Sequence, residues 1–250
     1  MSFIELKLDE KIATITLNRP KVNALNDQLI DELKAAFQGV QAEGNINAVI
    51  LRGQGSFFSF GFDVPGFMAY QKDEFQNYVE KYSDLIKEIF MFPKPVIAAL
   101  NGHTVAGGCV LALACDYRIM ISGKAKIALN EMTFGSSLFS CVTEPLKYAV
   151  ESKKAEQIIY SGKMYSAQEA FNLNLVDRIA SEDEFDAVVL ESAQDFAGKD
   201  IHAFASIKKM LKKEILNTIE SYEMETISEF VDIWYSRSTR ANLSKIEIRG

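Results

Sequence analysis

Two short apolar runs, AVILRG at residues 48–53 and PVIAAL at residues 95–100, each lead into a loop that carries glycine, GQGSFFSFGFDVPGF after the first and NGHTVAGG after the second. Continuous apolar runs of this length read as strands buried on both faces, the kind found in parallel sheets. Between them, residues 73–90 place Phe75, Tyr78, Val79, Tyr82, Leu85, Ile86 and Ile89 at helical spacing. Parallel neighbours need such a crossover helix, so the expected class is α/β with a parallel component. Pro93 and Pro95 end the helix and launch the second strand, because proline lacks an amide and restricts its predecessor.

The remaining pattern extends this scheme. Ile4, Leu6 and Leu8 alternate with Glu5, Lys7 and Asp9, and the apolar pattern resumes at residues 12–17, which predicts a hairpin. Asn26 is placed to cap a helix whose stripe is Leu29, Ile30, Leu33, Phe37 and Val40. YRIMI (117–121), KIAL (126–129) and LVDRI (175–179) read as further strands, and Ser166 with Glu169 has capping-box spacing. The C-terminal part reads helical, with Ile207, Met210, Leu211 and Ile215 as one stripe to be packed on the core or on a neighbouring subunit. No repeat or low-complexity linker interrupts the chain, so residues 1–195 are expected to form the core and residues 196–250 a helical extension of the same domain.

Composition narrows the partners. The 250-residue chain is 48% hydrophobic, enough for a sizeable core without covalent staples. Its 27 basic and 34 acidic side chains leave a net charge of -7, which argues against nucleic acid and anionic membranes. Cys109, Cys115 and Cys141 form no CxxC pair and sit among apolar neighbours, which fits buried thiols in a reducing compartment and no metal site. The start, MSFIELKLDE, carries acids early and lacks an apolar leader segment, so no secretory signal is expected, and no C-terminal targeting signal is visible. The longest apolar run, residues 96–114, is broken by Asn101, His103 and glycines, whereas a membrane span needs ~20 largely apolar residues. A cytoplasmic protein without a membrane span is expected.

Both glycine loops fall at the C-terminal ends of predicted parallel strands, where open α/β sheets place their ligands. Gly61 and Gly107 let the chain turn tightly and leave backbone amides unpaired. Three readings fit such loops. Phosphate binding is one, although neither GxGxxG nor GxxxxGK[ST] is present. Close helix–sheet packing is the second. The third is an oxyanion hole, with one amide from each loop on a carbonyl oxygen, and it needs both loops together.

The residues then carry a resemblance. NRPKVNALN (18–26), FSFGFD (58–63), PVIAALNG (95–102) followed by AGGC (106–109), CD (115–116) and LNE (129–131) stand in the order and spacing of the enoyl-CoA hydratase/isomerase, or crotonase, superfamily. The sequence resembles that superfamily over nearly its whole length. The resemblance implies a spiral of β-β-α units and a helical C-terminal region that forms a homotrimer or dimer of trimers. It also implies acyl-CoA thioester substrates, with coenzyme A arriving as part of the substrate and no separate cofactor. Carried over by position, the backbone amides of Phe62 and Gly107 resemble the two oxyanion donors. Phe60 stands where the family usually has a small residue, near the route of the CoA adenine and pantetheine. Ala24 matches the adenine-side loop and is a binding candidate through its backbone.

Reaction class depends on the acids, since an oxyanion hole serves many thioester reactions. Hydratases of this superfamily use two glutamates; this sequence has Val110 at the first position and Glu131 at the second. A lone carboxylate suits a 1,3-proton shift, in which Glu131 takes a proton from C2 of a 3-enoyl-CoA and returns it at C4. Val110 is expected to keep water from the intermediate and to raise the Glu131 pKa by desolvation. The LNE context, the missing PGAGG-like segment after it and the KKMLKK helix are similar to the Δ3,Δ2-enoyl-CoA isomerase branch. The alternatives are an enoyl-CoA hydratase, another crotonase-type lyase, decarboxylase or thioester hydrolase, and a catalytically weak acyl-CoA-binding protein.

Other residues weigh less. Asp63 is expected to bond nearby backbone, His103 to pack, and His202 to carry no function. Glu144 is either near the acyl pocket or at the surface. Lys208, Lys209, Lys212 and Lys213 are expected on a solvated helix face, with contact to a CoA phosphate as the other reading. Phe67, Tyr70 and Phe90 are expected in the core or the wall of an acyl tunnel.

Overall fold

The computed structural model describes residues 2–246. The predicted hairpin forms, β1 (Ile4–Asp9) pairing antiparallel with β2 (Ile12–Leu17), with Ile4 opposite Leu17 and Asp9 opposite Ile12, although Leu6 and Leu8 of this edge strand are exposed. Helix α1 (Asp27–Ala42) starts at Asn26, whose side chain accepts from the Leu29 amide at 3.0 Å, and it buries the predicted stripe.

Three turns of a repeating unit follow. The first has β3 (Ala48–Gly53), β4 (Phe57–Ser59), the short α2 (Val64–Phe67) and α3 (Lys72–Phe90). The second has β5 (Val96–Leu100), β6 (His103–Val105) and α4 (Gly107–Ala114). The third has β7 (Tyr117–Ile121), β8 (Ile127–Ala128), a 3-10 turn over Glu131–Phe134, and α5 (Ser140–Val150). The first strand of each turn joins the sheet β1-β2-β3-β5-β7-β9, whose last member is β9 (Arg178–Ala180), and the second strand joins the smaller sheet β4-β6-β8. This is the expected spiral of β-β-α units. Between the third turn and β9 lie α6 (Ser152–Ser161) and α7 (Ala167–Asn172); Ser166 and Glu169 form the capping box that their spacing predicts. After β9 come α8 (Phe185–Ala197), α9 (Ile201–Trp234) and α10 (Arg237–Leu243).

Strand β5 is buried along its whole length because both of its faces are covered. Val96, Ala98 and Leu100 join the main core, while Ile97 and Ala99 point the other way, into a second cluster with Phe185, Val189 and Ala193 of α8. A period of two therefore divides one apolar run between two cores. Residue 195 lies within α8, and α9 begins after Asp200.

Two strand assignments shift. KIAL shortens to Ile127–Ala128, and LVDRI forms its strand only from Arg178. Leu175 and Val176 are instead fully buried in the core, and Asp177 turns toward Arg118, accepting from its backbone amide and pairing with its guanidinium, each at 2.8 Å.

The C-terminal helix differs more. The predicted stripe is not the face that α9 buries in this chain: Ile207, Met210 and Leu211 are exposed, while Lys208, Lys212, Ile219, Ile227, Phe230, Val231 and Trp234 are buried. Nor are all four lysines solvated. Lys208 and Lys212 turn inward onto Asp116, at 2.7 and 2.8 Å, and only Lys209 and Lys213 face solvent. Long aliphatic stems let lysines occupy an apolar interface when a carboxylate waits at its far side. The distal half of α9 packs on α3 and α5, with the Trp234 ring stacked on Phe75 at 4.5 Å. No helix among the described residues is long and apolar enough to cross a membrane.

Candidate active site

The two glycine loops meet. Gly61 has φ +93°, and a Cβ placed there would come within 2.8 Å of the Val105 carbonyl and 2.9 Å of the Gly107 nitrogen. Only a residue without a side chain lets the first loop lie directly on the second. The peptides flanking Phe62 are held by Leu25, whose amide donates to Gly61 O at 2.7 Å and whose carbonyl accepts from the Asp63 amide at 3.0 Å. Ala106, just before α4, is forced to φ +50° and ψ -124°. A non-glycine residue there costs about 1–3 kcal/mol and persists only when its surroundings over-determine it. Here the Ala106 amide donates to Ala128 O at 2.9 Å, and the Ala106 carbonyl accepts from the Cys109 and Val110 amides.

This turn leaves the Gly107 amide at the first position of α4, at the positive end of the helix dipole. Neither the Phe62 nor the Gly107 amide donates to an acceptor among the described residues. Both residues line the same cavity, so two backbone donors without an acceptor among the described residues stand on adjoining loops.

Glu131 opens the 3-10 turn, is 8% exposed, and its Oε2 is buried without a hydrogen-bond partner among the described residues. Burial pushes its carboxyl up from 4.5 to about 7, with a bond from its own backbone pulling slightly the other way. Asn130 Oδ1 and Trp234 Nε1 are buried without partners as well. Unpaired buried polar atoms are rare in native cores, and these three residues line a single cavity.

Glu131, Phe62, Gly107, Phe60 and Val110 line one cavity of about 300 Å³. Its other walls include Tyr82, Phe139, Val142, Phe230 and Trp234, so it is mainly apolar, and Glu131 is the only carboxylate among its described lining residues. Val110, 1% exposed, sits one turn into α4.

Ala24 is fully buried outside this cavity, and its carbonyl accepts from Arg19 at 3.0 Å. Asp63 does not bond backbone as expected; it pairs with Arg19 Nη2 at 2.6 Å, because that guanidinium reaches across from the Arg19–Ala24 loop. His103 lies in β6 with its ring 5.1 Å from Phe57, a packing role, and His202 is exposed. Glu144 pairs with Lys147 at 2.6 Å and does not line the cavity. Phe67 and Phe90 are core residues, and Tyr70 donates to Asp27 at 2.6 Å. All three cysteines are free and buried. Among the described residues no group of three or more His, Cys, Asp or Glu could hold a metal.

Tyr82 and Trp234 also line the cavity, although neither stands in a motif. Tyr82 looks like one more apolar position on α3, yet its hydroxyl donates to Gly107 O at 2.7 Å and its ring meets Phe62 edge-on at 4.9 Å. Trp234 arrives from the end of α9, and no local signal links it to the glycine loops.

A family model described as Enoyl-CoA hydratase/isomerase matches residues 7–242. The chain belongs to this family. A Bacillus subtilis (strain 168) member named "Probable enoyl-CoA hydratase" is 34% identical over 228 residues, which cover 89% of this chain and 86% of that one. The crystal structure of human mitochondrial delta3-delta2-enoyl-CoA isomerase matches with a TM-score of 0.92 at 22% identity, over 97% of this chain and 96% of that one. At that identity the likeness concerns the fold alone. An enoyl-CoA hydratase/isomerase from Xanthobacter autotrophicus Py2 matches with a TM-score of 0.83 at 30% identity, over 97% and 96% of the two chains. The β-β-α spiral with its helical C-terminal region is therefore the crotonase fold.

Proposed function

We propose that this family member is an enoyl-CoA isomerase that moves the double bond of a 3-enoyl-CoA to the 2-position with Glu131 as its one acid/base group. The observation that carries the reading is Glu131's solitude: no other carboxylate lines the cavity among the described residues, and the helix position one turn above Gly107 is Val110. Water addition needs water activated while a proton is delivered to carbon. A 1,3-shift needs one base that removes a proton and gives it back.

In this mechanism the thioester oxygen sits between the Phe62 and Gly107 amides. Glu131 takes the proton from C2, and the electron pair delocalises onto that oxygen as a dienolate. The same carboxyl then delivers the proton to C4. Each oxyanion donor contributes ~10²–10³ in rate. A carboxyl held near 7 is matched to this task, since it is ionised enough to act as a base and acidic enough to return the proton. The apolar walls, Val110 included, keep water from the dienolate. The reaction calls for no cofactor beyond the coenzyme A that the substrate carries. Phe60 at the cavity wall and the Ala24 loop are assigned to the CoA side.

Three unpaired, buried thiols suit a reducing compartment, and we place the reaction in the cytoplasm. A second reading, hydratase, is favoured by the names of relatives such as the Bacillus subtilis protein. Glu131→Gln separates the base from the scaffold: turnover of 3-enoyl-CoA is expected to vanish while binding of a substrate analogue is retained. Unchanged turnover would remove Glu131 from the mechanism.

A further inference from the structure

A second cavity, of about 530 Å³, lies between α5, α8 and α9 and shares no lining residue with the active-site cavity. Its polar floor carries three cations, Arg118, Lys208 and Lys212, against two carboxylates, Asp116 and Asp177. The side chains of Arg118, Lys208 and Lys212 are only 8%, 4% and 7% exposed. One positive charge is therefore left over in a nearly dry place, where an uncompensated charge is expensive. The surplus has donors to offer. Lys208 Nζ bonds only Asp116 among the described residues, at 2.7 Å, which leaves two of an ammonium's three N–H bonds unused. Lys212 Nζ, by contrast, is held by Asp116 at 2.8 Å and Phe90 O at 3.2 Å.

The chemistry of the walls is different. Phe90, Tyr148, Phe196, Phe204 and Leu211 line the same cavity, with Lys212 over the Phe90 ring at 4.2 Å and Lys208 over Phe204 at 5.9 Å. Burial and the neighbouring Lys212, set against the attraction of Asp116, lower the Lys208 ammonium to about 8, as a cation short of counter-charge behaves. A cluster serving only to tie α9 to the core would be charge-balanced; this one is a single negative charge short and opens onto aromatic surface.

We propose that this cavity is a binding site for a small monocarboxylate with an apolar, preferably aromatic, body, its carboxylate on Lys208 and its body against Phe196 and Phe204. The site is independent of the acyl-CoA reading of the first cavity. A charge-assisted bond in a low-dielectric floor supplies orientation, and the rings supply contact area.

The test is calorimetric titration of the intact native oligomer with 1-naphthoate, alongside its uncharged analogue 1-naphthylmethanol. Saturable binding with a Kd of about 1 mM or tighter is expected for the carboxylate, with clearly weaker binding of the alcohol. Lys208→Met is expected to weaken the carboxylate at least about tenfold, the worth of one hydrogen bond to a charged group. Phe204→Ala removes one of the two rings assigned to the ligand's body and is expected to weaken both ligands. Absence of saturable binding, equal binding of acid and alcohol, or binding unchanged in both variants would each overturn the proposal.

Discussion

The Tyr82 hydroxyl donates to the Gly107 carbonyl at 2.7 Å, so α3 fixes the first turn of the helix whose first residue lines the cavity. The same ring meets Phe62 edge-on at 4.9 Å, so one buried residue braces both glycine loops. Tyr82→Phe keeps the ring and deletes the bond. Since the loss acts on the charged intermediate through Gly107, kcat is expected to fall about tenfold with KM little changed. A rise in KM at constant kcat would instead mean that Tyr82 serves substrate binding.

Gly61 allows no side chain. At φ +93°, with the Val105 carbonyl 2.8 Å from where a Cβ would stand, Gly61→Ala must either strain the loop or push it off Gly107. Stability is expected to fall by about 1–3 kcal/mol, read by thermal unfolding, and the folded fraction should turn over 3-enoyl-CoA far more slowly. Unaltered kinetics would show that the loop contact is not needed to aim the amides.

Glu131 ties activity and stability to pH in opposite senses. Its base form accumulates as pH rises through about 7, so kcat/KM should climb on an acid limb near that pH. Between 4.5 and about 7 the folded chain holds a proton that the unfolded chain has released, so this group's contribution to stability falls as pH rises. The cost is absent below the lower value and complete above the upper one. Glu131→Gln should therefore stabilise the protein at pH 8, on the order of 3 kcal/mol, with the gain fading toward pH 4.5. A gain of equal size at both ends of that range would assign it to packing.

Val110→Glu places a second carboxylate in the cavity that holds Glu131. Isomerase turnover is expected to drop at least about tenfold, because a like charge raises the Glu131 pKa further and admits water. Some 3-hydroxyacyl-CoA is expected among the products. A variant that isomerises as well as the parent would show that the apolar character of residue 110 is incidental.

Association is expected as well. Ile207, Met210 and Leu211 leave α9's predicted apolar stripe uncovered within one chain, and Tyr160, Met164 and Phe171 are exposed elsewhere. Sedimentation should give three or six times the 28.0 kDa of one chain; a monomer would contradict the expectation of a trimer.

Local chemistry was readable where one residue decides it. Asn26 marks the start of α1 because its side chain satisfies an orphan amide, and the runs at β3 and β5 mark strands because two-sided burial leaves Arg52 as their one polar residue. Phe62, Gly107, Val110 and Glu131 could be named from motif order and do line one cavity. The tertiary partners could not. Lys208 and Lys212 looked solvated because the Asp116 they reach lies 92 and 96 residues away, and the apolar stripe beside them seemed the obvious buried face. Trp234 and Phe230 close the cavity only because α9 returns across α3 and α5. Tyr82's role rests on its hydroxyl meeting Gly107 O, which helical period cannot express.

That one carboxyl shuttles one proton is tested by giving purified protein 3-enoyl-CoA and 2-enoyl-CoA in separate reactions and resolving the products by chromatography. 2-Enoyl-CoA is expected from the first, and no 3-hydroxyacyl-CoA from either. Prompt conversion of the 2-enoyl thioester to 3-hydroxyacyl-CoA would contradict it.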